Sequence, residues 1–172
     1  DPATGKQLWS FYPNAKLTGE PYVTKDAVYL TSTKNVCFKL DKKNGEVLWR
    51  KTFNETIRGN TSFADNKVLV ALQSGELVAL GAETGEQTWS FKPNKKELKA
   101  YDFYGLAITS DGKIYVGAAD KFFYCLDVNT GKKLWDFEAQ DWIRSKPVIV
   151  DETIFFGDLS GMGYALNISN KI

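Results

Sequence analysis

The chain has 172 residues, with 22 Lys and Arg against 21 Asp and Glu and no histidine, for a net charge of +1. That balance argues for neither nucleic acid nor an anionic membrane as a partner, and no apolar run reaches the roughly 18 residues of a membrane span. The lack of histidine excludes His-ligated metals, a His-containing triad and the commonest general base.

In chain order, the first predicted strand is Lys6 to Phe11, carrying Trp9. No charged-then-apolar leader pattern is read before it. A link over Pro13 to Thr18 leads to an innermost strand, and Lys25-Asp26 makes a hairpin turn into the apolar run Val28-Tyr29-Leu30. A turn over Ser32 to Asn35 gives a strand ending at Leu40, and Asp41 to Gly45 turns into the strand of Trp49. The same order then recurs. Its apolar runs are Val68-Leu69-Val70, Ile114-Tyr115-Val116 and Ile154-Phe155-Phe156, and its third strands end at Leu80, Leu126 and Leu166. Three apolar residues in a row, rather than alternation, predict strands covered on both faces. Small residues follow each run, Thr31, Ala71, Gly117 and Gly157, which predicts close packing there.

The turn into each fourth strand is one motif, read as DPATGKQLW from Asp1, DKKNGEVLW from Asp41, GAETGEQTW from Gly81 and DVNTGKKLW from Asp127. Asp bonds its own backbone two residues on, and Gly accepts positive φ without a Cβ clash. The repeats span 1–40, 41–80, 81–126 and 127–166, with a tail over 167–172 that keeps neither the Gly nor the Trp. A period of this size in all-strand units predicts an all-β propeller of four-stranded antiparallel blades. Four Trp at one register predict a dock between blades, because one repeat cannot bury its own apolar face. Cys37 and Cys125 fall on third strands of non-adjacent units and are expected to be free and buried.

The Leu-Asp ending followed by D-x-x-T-G-x-x-x-W resembles the pyrroloquinoline-quinone-type (PQQ-like) propeller repeat, which includes quinoprotein dehydrogenases, BamB-type outer-membrane assembly lipoproteins and sensor domains. The resemblance implies blades around an axis, each motif Trp docked on its neighbour, and an extracytoplasmic location. Gly81 departs from the pattern, so its turn is expected to lose the Asp cap. Such rings have roughly seven or eight blades, and four is about half of one. Three arrangements remain open. The chain is a piece of a longer propeller, or two copies exchange strands into an eight-bladed ring as a homodimer, or one chain closes on itself by pairing Lys6 to Phe11 with Met162 to Leu166.

The links from fourth to first strands emerge on one face: Pro13 to Thr18, Phe53 to Arg58, Pro93 to Tyr104 and Ala139 to Arg144. The third is the longest and carries Lys95, Lys96, Lys99, Tyr101, Asp102, Phe103 and Tyr104. Trp142 is the only Trp outside the repeat motif, and Arg58 and Arg144 share a repeat position with Thr18 and Tyr104. Arg58, Arg144, Trp142, Tyr104, Tyr101 and Lys146 are therefore the candidate partner-binding residues, for a protein, peptide or glycan. The bland alternative is that the arginines pair with neighbouring acids and Trp142 fills a gap. No catalytic residue, metal or cofactor is assigned. Glu20, Asn60 and Asp102 offer scattered oxygens that give calcium little to bind, and the adjacent-cysteine pair associated with quinoprotein dehydrogenases is absent. The function expected is a non-catalytic binding scaffold. The alternatives are part of a PQQ-dependent dehydrogenase and a ligand-sensing extracytoplasmic domain of a signalling protein.

Overall fold

The computed structural model describes residues 4–93, 103–108 and 112–169, with residues 58–60 and 104–108 as backbone only. Every regular element in it is a strand. Blade 1 contains β1 (Leu17–Val23), β2 (Ala27–Ser32), β3 (Val36–Asp41) and β4 (Val47–Thr52) in that spatial order. Blade 2 repeats it with β5 (Ile57–Ala64), β6 (Lys67–Leu72), β7 (Leu77–Gly81) and β8 (Gln87–Phe91). Blade 3 follows with β9 (Phe103–Ile108), β10 (Lys113–Ala118), β11 (Phe122–Asp127) and β12 (Lys133–Glu138). Blade 4 has three described strands, β13 (Val148–Val150), β14 (Thr153–Gly157) and β15 (Gly163–Asn167). All pairings are antiparallel hairpins, which short polar turns favour. At the turn into β6, Asp65 and Asn66 both take positive φ, 42° and 59°, the residue types that tolerate it best.

The uninterrupted apolar triplets are explained by the packing of blade on blade. Successive side chains of a strand point to opposite faces, so Tyr29 and Val28 leave β2 on different sides. Tyr29, Cys37 and Trp49 meet Val68, Val70, Val78 and Leu80 between blades 1 and 2. Leu69, Ala79 and Trp89 meet Ile114, Val116, Tyr124 and Leu126 between blades 2 and 3. Tyr115, Phe123, Cys125 and Trp135 meet Ile154, Phe156, Tyr164 and Leu166 between blades 3 and 4. At the last junction the Phe123 and Phe156 rings stack with centroids 4.1 Å apart. Both cysteines are free and buried as expected, and burial pushes the Cys37 thiol up to about 12.

The motif Trp is the dock. Trp9 Nε1 donates to the Lys42 carbonyl at 2.9 Å, Trp49 Nε1 to that of Ala82 at 2.9 Å, and Trp89 Nε1 to that of Val128 at 2.8 Å. Each acceptor is the second residue of the next repeat's turn. The indole lies over that turn's glycine: a Cβ built on Gly45, Gly85 or Gly131 would sit 2.6, 2.8 or 2.5 Å from a ring carbon of Trp9, Trp49 or Trp89. Asp41 Oδ1 accepts from the Lys43 and Asn44 amides, and Asp127 Oδ1 from those of Asn129 and Thr130. Gly81 has no such side chain, yet its turn closes through Gly85 N–H to the Gly81 carbonyl at 2.8 Å.

Two expectations are corrected. Lys6 to Phe11 lies in no strand; it packs on blade 1 through its side chains and is not paired with Met162 to Leu166. Trp9 and Phe11 pack on Val28, Leu30, Phe38 and Leu40. The apolar contacts of that face and the Trp9 dock hold the segment where a preceding blade's outer strand would lie, and among the described residues no strand joins β15 at its open edge. Phe103, read as part of the loop face, is the first residue of β9 and 2% exposed in the core between blades 2 and 3.

Candidate functional site

Among the described residues the loop face is best defined at the link from blade 3 to blade 4, and one residue fixes it. Ile143 is fully buried, and its amide donates to the Ala118 carbonyl at 3.2 Å. Its side chain fills the notch at Gly117, where a Cβ would lie 2.3 Å from Ile143 Cγ2. This is the close packing that the small residue after the β10 triplet predicts. On either side of the wedge, Trp142 and Arg144 turn outward, half-buried and exposed respectively. The Arg144 guanidinium carbon lies 5.3 Å from the centroid of a Trp142 ring, within reach of a cation–π interaction.

The backbone around this pair is bonded on both sides. Trp142 N–H donates to Asp141 Oδ1 at 2.8 Å, and the Trp142 carbonyl accepts from Leu159 N–H at 2.9 Å. Ser145 Oγ donates to the Gly157 carbonyl and accepts from its amide, both at 2.8 Å. Asp158 accepts from the Gln140 and Asp141 amides through Oδ2 and from the Ser160 and Met162 amides through Oδ1. The Tyr164 hydroxyl donates to Oδ2 at 2.8 Å. Burial opposes ionisation of this carboxyl, but the bonds from Ser160, Tyr164, Asp141 and Met162 outweigh it and hold its pKa well below the usual range. Asp158 thus ties the β14–β15 turn to the incoming link.

Of the six candidate residues, Trp142 and Arg144 are brought together. Lys146 is exposed two residues further along. Arg58 and Tyr104 are described as backbone only, Arg58 facing Ala71 across the β5–β6 ladder. Tyr101, with Lys95, Lys96, Lys99 and Asp102, lies outside the described residues. The shared position of Arg58 and Arg144 is matched by the backbone: Gln73 N–H bonds the Thr56 carbonyl as Leu159 N–H bonds that of Trp142. The sequence reading missed Ile143, Ser145, Asp158 and Tyr164. Asp158 opens an Asp-Leu-Ser-Gly turn, a side-chain capping pattern, and Tyr164 repeats Tyr124, whose hydroxyl also bonds a buried aspartate, Asp120.

Chemistry finds less to work with. No group of three or more Cys, Asp or Glu able to hold a metal occurs among the described residues. Glu20 is exposed on β1, while Asn60 is described as backbone only and Asp102 not at all. The buried acids Asp120 and Asp158 are both occupied by tyrosine hydroxyls.

The family model described as outer membrane protein assembly factor BamB matches residues 1–102 and 103–170. BamB of Burkholderia pseudomallei is 24% identical over 135 residues, covering 78% of this chain and 35% of that protein. The quinohemoprotein alcohol dehydrogenase ADH-IIG of Pseudomonas putida is 25% identical over 134 residues, 68% of this chain and 19% of that one. The crystal structure of BamB from Moraxella catarrhalis superposes with a TM-score of 0.80 at 18% identity, over 94% of this chain and 49% of that chain. The chain therefore spans about a third or less of these two curated relatives and about half of the solved one.

Proposed function

The chain belongs to the family of the outer membrane protein assembly factor BamB, and on that premise we propose that it is a non-catalytic propeller scaffold, acting outside the cytoplasm, that holds a protein partner on its loop face. The observation that carries the reading is the Trp142–Arg144 pair, fixed by the Ile143 wedge before any partner arrives. A rigid aromatic and an arginine bind at low ordering cost, and such residues dominate interface energetics. The partner that fits is an acidic and partly apolar peptide or protein loop. The indole supplies contact area and the guanidinium pairs with a carboxylate. The dehydrogenase reading is disfavoured by the donor set, since the buried acids are spent on internal bonds.

A peptide array of acidic, aromatic-rich sequences probed with wild type and with Trp142→Ala/Arg144→Ala tests this. Binding is expected to weaken at least about tenfold, the loss for an anchor worth roughly 1.4 kcal/mol, with matching thermal melts. Equal affinity for the same peptides would place recognition elsewhere. Saturable binding of pyrroloquinoline quinone with calcium, read by absorbance, would replace the scaffold reading with the enzymatic one.

A further inference from the structure

The junction between blades 1 and 2 holds a buried charge at a position where the other blades have none. Lys39 lies in the middle of β3, and the residues at its repeat position are Ala79, Cys125 and Ala165. The Lys39 side chain is 7% exposed, while that of Glu83, its partner at 2.7 Å, is 72% exposed. An ammonium has three N–H donors, and among the described residues only Glu83 accepts from this one. A buried charge with donors to spare is costly until something else takes them.

Beside it is a cleft of about 400 Å³, at the end of the strands opposite the loop face. Blade 1 supplies one wall through the β1–β2 turn and β3, and blade 2 the other through Asn66 and Glu83; Phe63 and Leu48 add an apolar patch. The volume is at the low end of the about 300–1,000 Å³ typical of small-ligand sites. The next junction shows how such a cleft is bridged. Lys67, at the repeat position of Ala27, reaches across to Asn129, at that of Glu83, with Nζ 2.9 Å from Oδ1. Between blades 1 and 2 the small Ala27 leaves that bridge unmade, and the ammonium is withdrawn to the buried position of Lys39.

The charges around the cleft narrow the ligand. Asp26, Asp41 and Glu83 line it together with Lys25 and Lys39. A ligand carboxylate would meet those acids, and Glu83 already neutralises Lys39. A ligand cation would meet the buried ammonium. A hydroxyl accepts from an ammonium and donates to a carboxylate, so a neutral polyhydroxy compound satisfies both. We propose that this cleft binds an uncharged mono- or disaccharide. Its hydroxyls take the spare donors of Lys39 and give to Glu83 and Asp26, and the C–H face of a ring lies against Phe63 and Leu48.

Saturation-transfer NMR on the 172-residue chain tests this, with D-glucose, D-galactose, D-mannose, N-acetyl-D-glucosamine and lactose as probes. At least one is expected to bind saturably, and D-glucuronate and D-glucosamine to bind more weakly. The Leu48 methyl resonances are expected to move with the same midpoint, which locates the sugar without altering the protein. Lys39→Met keeps the length of the side chain and removes its donors. It is expected to weaken binding about tenfold or more, the loss of a hydrogen bond to a charged group. Ala27→Lys is expected to do the same by making the bridge that Lys67 makes at the next junction. No saturable binding by any probe, a preference for glucuronate or glucosamine, or unmoved Leu48 methyls would each overturn the proposal. Full affinity in either variant, with a melt like wild type, would do so too. Should the variants fold poorly, the wild-type methyl shifts decide.

Discussion

Gly45, Gly85 and Gly131 have φ of 75°, 70° and 68°, and each also lies beneath an indole. The two demands can be separated by experiment. Gly161 has φ of 91° with nothing within 4 Å of a built Cβ, so Gly161→Ala meets only the left-handed strain of about 1–2 kcal/mol. Gly85→Ala adds the collision with Trp49 and is expected to cost about 1–3 kcal/mol more, the range for overpacking. Denaturant melts of the two variants measure the difference, and equal losses would mean that the indole yields freely. Asp158 gives a second residue-level prediction. Its folded pKa lies below that of an unfolded carboxyl, so its stabilisation is complete above about pH 4 and is lost as pH falls toward the folded value. Asp158→Asn is expected to melt lower at neutral pH, because an amide nitrogen cannot accept from Gln140, Asp141 and Tyr164. It is also expected to lose less than wild type on further acidification. Parallel acid curves for the two proteins would show that the carboxylate charge contributes nothing.

At the scale of elements, the N-terminal segment behaves as a cover. The Phe11 ring meets Phe38 edge-on with centroids 5.2 Å apart, and together with Trp9 it shields Val28, Leu30 and Leu40. Deleting residues 1–12 uncovers that face, so the truncated chain is expected to aggregate or to melt at lower temperature in a scattering-monitored melt. A soluble product with an unchanged midpoint would refute the covering role. This segment also shows where sequence reading stops. The other strands were legible because each apolar triplet reports burial on two faces, a property internal to the repeat. Strand character at Lys6 to Phe11 depends on a hydrogen-bonding edge, and the edge belongs to a different blade. Phe103 was misplaced for a related reason. Its link is six residues longer than the others, which blurred the start of β9. Arg144 could be named from its repeat offset and Trp142 as the Trp outside the motif, whereas the wedge that fixes them could not. Ile143 looks like any core residue until its contact with Gly117 is seen.

At the scale of the molecule, each described blade touches its neighbours in sequence, and stability in such arrays is close to a sum of unit and junction terms. The unit period and the Trp register made the architecture readable, because every position was sampled four times. The loop face was sampled once, since links differ from blade to blade while the docks do not. The dock itself has a further consequence. One repeat contributes the indole from its last strand, and the next contributes the glycine and the receiving carbonyl from its turn. Each repeat therefore carries both the plug and the socket. A duplicated copy inherits a working joint on both sides, and a lost copy leaves two ends that still match. An array built on this joint can change length by whole repeats without devising a new contact, while its links on the loop face are free to differ in length, as the one six residues longer than the rest does.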